Sequence, residues 1–360
     1  NNSYDLGGNS GWTINSTSAK DYYWVGDGGS WNDGSHWALT SGGPGSGCVP
    51  TFQDNIYFDA NSFSATGQTV SISAGVADCK SMDWTGITNE PTFNIGNQLS
   101  IYGSLTFSPN MTVSGSSDVN FKSTESGNTI TFSENNINGN VVFNGVGGEW
   151  MFQDSVSIST AKDFKVLNGV LNTDGNALRA GNFVVNSTAT VNLSSSNIYL
   201  YKAFNSINSS NFNAGTSTIY LRPTASTIYT FRSYTSSIYN LIIESSSSST
   251  ITVGSYKKIV QRGSGTATIV STAGDSIIVD SGKRLRLDGT VTVNDYFEMN
   301  GTCSLLSSLT GTGTLSSATG NIVVNHTNIE NITATGGASF VANNSYDLGG
   351  NSGWTINSTS

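Results

Sequence analysis

Residues 119–143 read VNFKSTESGNTITFSENNINGNVVF and contain three short runs in which apolar and polar side chains alternate. The runs end at Phe121, Phe132 and Phe143, so a phenylalanine recurs every eleven residues. Alternation with a period of two is the pattern of a half-buried β-strand. An Asn-Gly dipeptide before the third run is suited to a sharp corner, because glycine tolerates positive φ. The stretch therefore predicts short strands joined by tight turns.

A regular spacing of apolar residues continues further along the chain. Ile-Tyr pairs recur at Ile198-Tyr199, Ile219-Tyr220, Ile228-Tyr229 and Ile238-Tyr239. The 21 residues from Ile198 to Ile219 are about one coil of a β-helix, and no segment shows a capped 3.6-residue period that would indicate a helix. We predict an all-β fold, a right-handed parallel β-helix, in which stacked coils align equivalent residues into ladders. Tandem β-sandwiches of about 100 residues each are the alternative.

The composition excludes several classes of protein. Only 11% of the 360 residues are charged, while Phe, Tyr and Trp number 16, 14 and 7. Many aromatic residues with little charge argue against intrinsic disorder. Neither heptads nor an apolar run of about 18 residues indicates a coiled coil or a membrane span. The net charge of −9 disfavours nucleic acid as a partner, because phosphate binding needs an excess of Lys and Arg.

The two ends of the chain carry the same 18 residues, NNSYDLGGNSGWTINSTS, at 1–18 and again at 343–360. The simplest interpretation is that the chain is a window of a longer polypeptide with tandem repeats of about 342 residues. The residues after Ser360 would then resemble Ala19–Trp24. One repeat would hold roughly 15 coils spaced about 4.8 Å apart.

This interpretation predicts four segments and one kind of partner. The segments are 1–18 as the terminal coil of a preceding repeat, 19–63 as a Trp/Gly-rich cap or inter-repeat junction, 64–342 as the β-helix coils, and 343–360 as the start of the duplicated segment. Neighbouring identical repeats of the same chain are the expected partners. Other fibres and surface glycans are further candidates.

Trp24, Trp31 and Trp37 crowd into the Trp/Gly-rich segment together with His36. Three rings beside Asp and Asn side chains resemble a carbohydrate-binding platform, because rings stack on sugar faces and carboxamides bond hydroxyl groups. The other interpretation is a hydrophobic plug that covers an open core at the start of a solenoid. Exposure separates the two, since a plug is buried and a platform presents coplanar rings to solvent.

Five longer motifs carry a resemblance to a known group of proteins. They are WVGDGGSWNDGSHW at 24–37, CVPTFQDNIYFDANSF at 48–63, ADCKSMDWTG at 77–86, IYGSLTFSPNM at 101–111 and GGASFVANNSYDLGGNSGW at 336–354. Their order resembles the giant repetitive secreted adhesin-like β-helix proteins of Bacteroidota, the surface proteins associated with type IX secretion. The resemblance covers nearly the whole repeat. It implies an extracellular, cell-surface filament with an adhesive role.

An exported protein meets an oxidising environment, and this setting bears on the cysteines and on metals. This environment predicts a disulfide between Cys48 and Cys79. Cys303 is then expected to be a small buried apolar residue, and pairing with another chain is the alternative. Calcium commonly braces extracellular β-proteins, and Asp54 and Asp59 on predicted loops are its candidate ligands. Carboxylates that are solvated or cap turns are the alternative for these two residues. No other cofactor is expected.

Candidate glycan-attachment sites are of two kinds. Asn-x-Ser/Thr triplets begin, among other places, at Asn110, Asn186, Asn192 and Asn208. A chain this rich in Asn, Ser and Thr produces such triplets by composition alone. The resemblance to Bacteroidota proteins adds Ser155 and Ser276, each of which lies between an Asp and an aliphatic residue.

The acidic residues do not form the pattern of a glycosidase or a lyase. Glycoside hydrolysis needs two carboxyl groups about 5–10 Å apart, whereas residues such as Asp118, Asp154 and Asp163 are isolated in sequence. We therefore predict a protein that is not an enzyme, namely a structural and adhesive repeat of a very long extracellular fibre. A carbohydrate-binding module built on the Trp/Gly-rich segment is the alternative function.

Overall fold

Inward and outward side chains alternate along short strands, as a period of two requires. The computed structural model describes residues 10, 11, 18–206, 211–223, 229–233 and 236–358. Their strands stack in parallel as an all-β solenoid of about 13 turns. This confirms the predicted β-helix architecture and excludes tandem sandwiches, whose sheets are antiparallel. The turns are slightly fewer than the roughly 15 expected.

Contacts divide the chain into two compact units, residues 1–122 and 123–360. The predicted boundary between residues 63 and 64 lies inside the first unit, which also contains one 3-10 turn at Gly34–His36. The strands of the first unit are β1 Asp21–Trp24, β2 Gly29–Ser30, β3 Trp37–Ala38, β4 Asn55–Tyr57, β5 Thr69–Ser71, β6 Ala77–Cys79, β7 Met82–Asp83, β8 Thr92–Ile95, β9 Leu99–Ile101, β10 Leu105–Thr106, β11 Thr112–Gly115 and β12 Val119–Phe121.

The second unit consists of strands that follow one another through short corners. They are β13 Asn128–Thr131, β14 Asn136–Ile137, β15 Val141–Phe152, β16 Val156–Ile158, β17 Asp163–Asn172, β18 Leu178–Ala180, β19 Asn182–Val185, β20 Ala189–Asn192, β21 Asn197–Leu200, β22 Phe204–Ser206, β23 Phe212–Asn213, β24 Thr218–Leu221, β25 Tyr229–Arg232, β26 Ser237–Ile243, β27 Ser249–Thr252, β28 Ser255–Gln261, β29 Thr266–Val279, β30 Arg284–Met299, β31 Ser307–Gly311, β32 Thr314–Ser317, β33 Asn321–Asn325, β34 Thr327–Glu330, β35 Thr333–Gly336, β36 Ser339–Asn343, β37 Tyr346–Asp347 and β38 Thr355–Asn357.

Three parallel stacks of strands build the first unit. They are β1 with β4, β7 and β10; β2 with β5, β8 and β11; and β6 with β9 and β12. Among the described residues, the first turn of the solenoid therefore begins at Asp21, inside the segment predicted as a cap or junction. That segment also contributes β3, which pairs with β1 in the antiparallel sense.

Most turns of the second unit likewise contribute three strands. β18, β19 and β20 pair with β21, β22 and β23 of the next turn. The corners between sides are tight, as the Gly-containing dipeptides predicted. Gly169 bends β17 with a φ of 87°, and a Cβ at this position would lie 2.6 Å from the carbonyl oxygen of Gly145. Only glycine fits this corner without strain.

Stacking aligns inward side chains of the second unit into columns. Ile198 pairs with Ile219, so the spacing between these two residues is one turn, as predicted. The column consists of Leu178, Ile198, Ile219, Leu241, Ile259, Ile277 and Phe297, all of them buried. The turns along it differ in length, since the stretch from Ile219 to Leu241 is longer than the stretch from Leu241 to Ile259. Ile238 does not continue the column because it pairs with Tyr256, and Ile228 lies outside the described residues.

Phenylalanines form a second inward column, with steps of about one turn rather than eleven residues. Its members are Phe164, Phe183, Phe204 and Phe231. Adjacent rings have centroids 4.7–5.6 Å apart, and all four side chains are fully buried. Burying one such ring contributes about 1.5–3 kcal/mol. Phe132 follows β13, which pairs with the second half of β15, whereas Phe143 lies in the first half of β15. The two residues therefore lie on different sides of one turn, and a step of eleven residues is about half a turn.

Candidate functional site

The Trp/Gly-rich segment folds around a short antiparallel pair. Trp24 of β1 lies opposite Trp37 of β3, and the 3-10 turn between them begins where Asp33 accepts a hydrogen bond from the backbone N–H of Ser35 at 2.9 Å. On its other edge β1 pairs in parallel with β4, which brings Tyr22 beside Ile56. The segment is thus built into the first turn of the solenoid.

The three tryptophans predicted as a platform or a plug are completely buried, each with 0% of its surface exposed. Trp37 meets Trp24 and Trp31 edge-on, with ring centroids 5.0 and 4.9 Å apart. Its indole N–H donates to the backbone oxygen of Trp31 at 2.8 Å. Rings whose faces are covered by protein cannot stack on a sugar, so this cluster packs the core and is not a carbohydrate platform.

The polar side chains around the tryptophans have structural partners. His36 stacks on Trp24, with centroids 4.7 Å apart and planes inclined by 2°, and its Nδ1 lies 2.8 Å from the carbonyl oxygen of Val25. Asp27 accepts hydrogen bonds from the backbone N–H of Ser64 at 2.6 Å and from its hydroxyl at 2.9 Å. These two bonds hold the pKa of Asp27 below its ordinary value.

The two carboxylates predicted as calcium ligands each brace a separate turn. Asp54 is buried and accepts hydrogen bonds from the backbone N–H groups of Lys20 and Thr51 and from the Thr51 hydroxyl, at 2.7–2.9 Å. Asp59 accepts one from the backbone N–H of Asn61 at 2.9 Å. Nowhere in the described ranges do three or more His, Cys, Asp or Glu side chains come together as a metal site. Both carboxylates act as turn caps in this structure.

All three cysteines are free thiols, so the predicted Cys48–Cys79 disulfide is wrong for this structure. Cys79 is fully buried in β6 and pairs with Ile101 of β9, whereas Cys48 is exposed in the loop after β3. The two thiols therefore lie in different environments, one in the core and one in solvent. Burial raises the pKa of the Cys79 thiol. Cys303 was predicted to be buried and is in fact exposed.

The candidate glycan-attachment residues differ in how accessible they are. Asn110 and Ser155 are exposed, and Asn186 and Ser276 are half-buried. The half-buried Asn192 donates its side-chain amide to Oδ1 of Asn172 at 2.6 Å, which occupies the nitrogen that a glycan would need. Asn208 lies outside the described residues.

Sequence reasoning missed a cleft on the outer surface of the second unit, which we call the Tyr–Arg cleft. Its principal side chains are Arg179, Tyr199, Tyr201 and Arg222, and its volume is about 320 Å³. The signal that could have found it is spacing. Arg179 precedes Tyr199, and Tyr201 precedes Arg222, by nearly the same interval that separates Ile198 from Ile219, so each pair is about one turn apart.

No helix of the described part of the chain is both long and apolar enough to cross a membrane. In comparisons with known proteins, the chain matches no family model, no curated protein sequence and no solved structure.

Proposed function

We propose that the chain is one structural repeat of a very long extracellular surface fibre, with an adhesive and non-catalytic role. The observation that carries the proposal is the placement of the second copy of the duplicated segment. Residues 343–357 supply the end of β36 and all of β37 and β38, and Asn343 pairs directly with Asn357. The segment thus packs as a turn of the solenoid.

The first copy of the duplicated segment, predicted as the terminal coil of a preceding repeat, lies outside the described residues except for residues 10, 11 and 18. A solenoid turn contacts only its neighbours, so a repeat that ends in such a turn can be followed by the next repeat without a new kind of interface. β3 and β4 cover the two edges of β1, so a preceding repeat would join through β2, which is the edge strand of its four-stranded stack. Continuous stacking across repeats is therefore the arrangement we propose.

Several acidic side chains accept hydrogen bonds from backbone N–H groups, which supports a non-catalytic role. Asp54 and Asp27 bind backbone N–H groups in the first unit, and Asp154 accepts hydrogen bonds from the backbone N–H groups of Phe132 and Ser133 at 2.8 and 2.5 Å. Carboxylates placed in this way stabilise turns. A fibre needs such internal bonding in every turn, because its stability is the sum of contributions from single turns and their interfaces.

A chain of two complete repeats, residues 19–360 followed by a second 19–360, tests the proposal. If the repeats stack as one solenoid, the two-repeat chain unfolds at a higher urea concentration than the single chain, because it gains an interface. Negative-stain images would show one uninterrupted thread. A matched control carries a flexible linker of about 20 Gly and Ser residues at the junction. Identical urea midpoints for both two-repeat chains, with paired separate particles in both images, would contradict the proposal.

The proposed location is tested independently of the stacking. Antibodies against the repeat should label intact cells of the native source, and external protease should remove the signal. Labelling that requires permeabilised cells would contradict a surface location.

A further inference from the structure

The Tyr–Arg cleft lies on one outer side of the second unit, where side chains of successive turns are aligned. Arg179 of β18 pairs with Tyr199 of β21, which pairs with Tyr220 of β24. Their neighbours in sequence, such as Leu178 and Ile198, are fully buried in the inward column. Because side chains alternate along a strand, the arginine and the two tyrosines form an outward column.

A second outward column consists of Tyr201 and Arg222, which directly follow β21 and β24. The backbone N–H of Tyr201 donates to the carbonyl oxygen of Ala180 at 3.1 Å, and that of Arg222 donates to the carbonyl oxygen of Leu200 at 2.7 Å. The hydrogen bonding between neighbouring turns therefore continues past the ends of β18, β21 and β24, and it keeps Tyr201 and Arg222 one turn apart. The cleft has aromatic rings in both columns and a guanidinium group in each.

The two arginines are held by the tyrosine rings. Arg222 lies over Tyr199 and Tyr220, with its guanidinium carbon 4.6 and 5.0 Å from the ring centroids, and those two rings stack on each other at 4.8 Å. Arg179 lies 4.8 Å from the centroid of Tyr201. Contacts of this kind between guanidinium and ring fix the direction in which the charged groups point.

The charge of one arginine is matched and that of the other is not. Arg222 donates from Nε to a carboxylate oxygen of Glu244 at 2.6 Å. Arg179 is exposed, and no carboxylate of the described residues lies within ion-pair distance of it. Asp154, beside Ser155 at the edge of the cleft, is directed at the backbone N–H groups of Phe132 and Ser133. The cleft therefore presents an unmatched positive charge on a chain whose net charge is −9.

We propose that the Tyr–Arg cleft binds an anionic oligosaccharide, one that carries uronate or sulfate groups. The tyrosine rings pack against one another and against the two arginines, and their hydroxyl groups can bond the oxygens of a sugar. The guanidinium fork of Arg179 matches a carboxylate or sulfate in two parallel hydrogen bonds. Neighbouring strands are about 4.8 Å apart, which is nearly the length of one pyranose residue. Successive sugars lying along the first column would therefore meet Arg179, Tyr199 and Tyr220 in order.

This binding does not depend on the fibre role, because a single chain contains the complete cleft. Isothermal titration calorimetry of the full chain would compare an oligogalacturonate, a heparin-derived oligosaccharide and a neutral gluco-oligosaccharide at low salt. We expect saturable binding of at least one acidic oligosaccharide and none of the neutral one. Raising the salt concentration should weaken it, because opposite charges attract less when screened.

Arg179→Ala should weaken binding of the acidic oligosaccharide at least tenfold, and Arg179→Lys should weaken it less, because the charge remains while the fork is lost. Arg284→Ala is the matched control, since Arg284 is also exposed at a strand of the same unit and forms no ion pair with a described carboxylate. It should bind as the parent does. Unchanged melting curves would show that each variant is folded.

Three outcomes would overturn the proposal. The first is no saturable binding of either acidic oligosaccharide. The second is an equal loss in Arg179→Ala and Arg284→Ala, which would indicate a diffuse charge effect. The third is equal affinity for single-stranded DNA, which would indicate a site for any polyanion.

Discussion

The side-chain amide of Asn213 donates a hydrogen bond from Nδ2 to Oδ1 of Asn192, 2.6 Å away. Asn192 in turn donates to Oδ1 of Asn172 over the same distance, so one amide in each of three successive turns joins a single ladder. The middle amide acts as donor and acceptor at once. A carboxylate of the same shape can only accept.

We expect Asn192→Asp to lower the free energy of unfolding by about 1–3 kcal/mol, because its carboxylate would face Oδ1 of Asn172 without a proton to share. Urea unfolding followed by circular dichroism would measure the loss. Asn197→Asp, at the exposed start of β21, makes the same chemical change away from the ladder and should alter stability by no more than about 0.5 kcal/mol. Equal midpoints for the two variants would contradict a role for the ladder.

Truncating a tryptophan of the first unit should be among the most damaging single changes. Trp37→Ala empties a site enclosed by Trp24, Trp31 and Phe58, and we expect a loss of about 3–5 kcal/mol in the free energy of unfolding. Leu39→Ala is a suitable control, because half of that side chain is already exposed, at 51%. A Trp37→Ala protein as stable as the parent would show that the ring is not part of the core.

The thiols should differ sharply in reactivity. We expect iodoacetamide to label Cys48 and Cys303 in the folded protein, and Cys79 only after denaturation. The thiolate is the reactive form, and burial both raises the pKa of Cys79 and blocks access. Mass spectrometry of peptides from the non-reduced protein would give the three rates. If Cys48 and Cys79 were both protected and a reductant exposed them, the two would form a disulfide in solution, contrary to this prediction.

Acid should destabilise the second unit through Asp163. Burial alone would raise the pKa of this carboxyl, but hydrogen bonds from Asn182 and Lys165 and the charge of Lys202 hold it below its ordinary value of 3.8. A carboxyl with a lowered pKa stabilises the fold above about pH 4, and the contribution is lost as the pH falls through the folded-state pKa. The group is partly exposed, so we expect less than about 1 kcal/mol.

Stability measured between pH 6 and pH 2 would test this prediction. Asp163→Asn should reduce the acid-dependent loss, because the amide does not titrate in this range. Asp280→Asn removes a carboxylate whose link to Arg262 is longer, at 3.8 Å, and is the matched control. Identical pH profiles for the parent and Asp163→Asn would contradict the assignment.

The sequence was sufficient for the architecture because inward residues repeat with the turn. Ile198 and Ile219 are one turn apart in sequence and adjacent in space, so their spacing measures the coil directly. The eleven-residue step between Phe132 and Phe143 does not measure the turn. Both side chains point inward, but they lie on different sides of the same turn, half a turn apart.

Side-chain environment was harder to predict than fold. The alternation of Ala77, Asp78 and Cys79 places the cysteine inward, and that local pattern outweighs the expectation of a disulfide that the resemblance suggested. The Tyr–Arg cleft joins residues of different turns. Predicting it required the alignment of residues one turn apart, such as Arg179 and Tyr199, in a chain whose turns vary in length.

The inward column from Ile219 to Ile259 stays in register although the turn that ends at Leu241 is longer than the turn that follows it. Differences in the length of a turn therefore do not change the register of the inward column. A turn of a solenoid contacts only the turns beside it, so each one needs only neighbours of matching cross-section. Duplication of a turn in such a chain adds a layer to the core and leaves the packing of the other layers as it was.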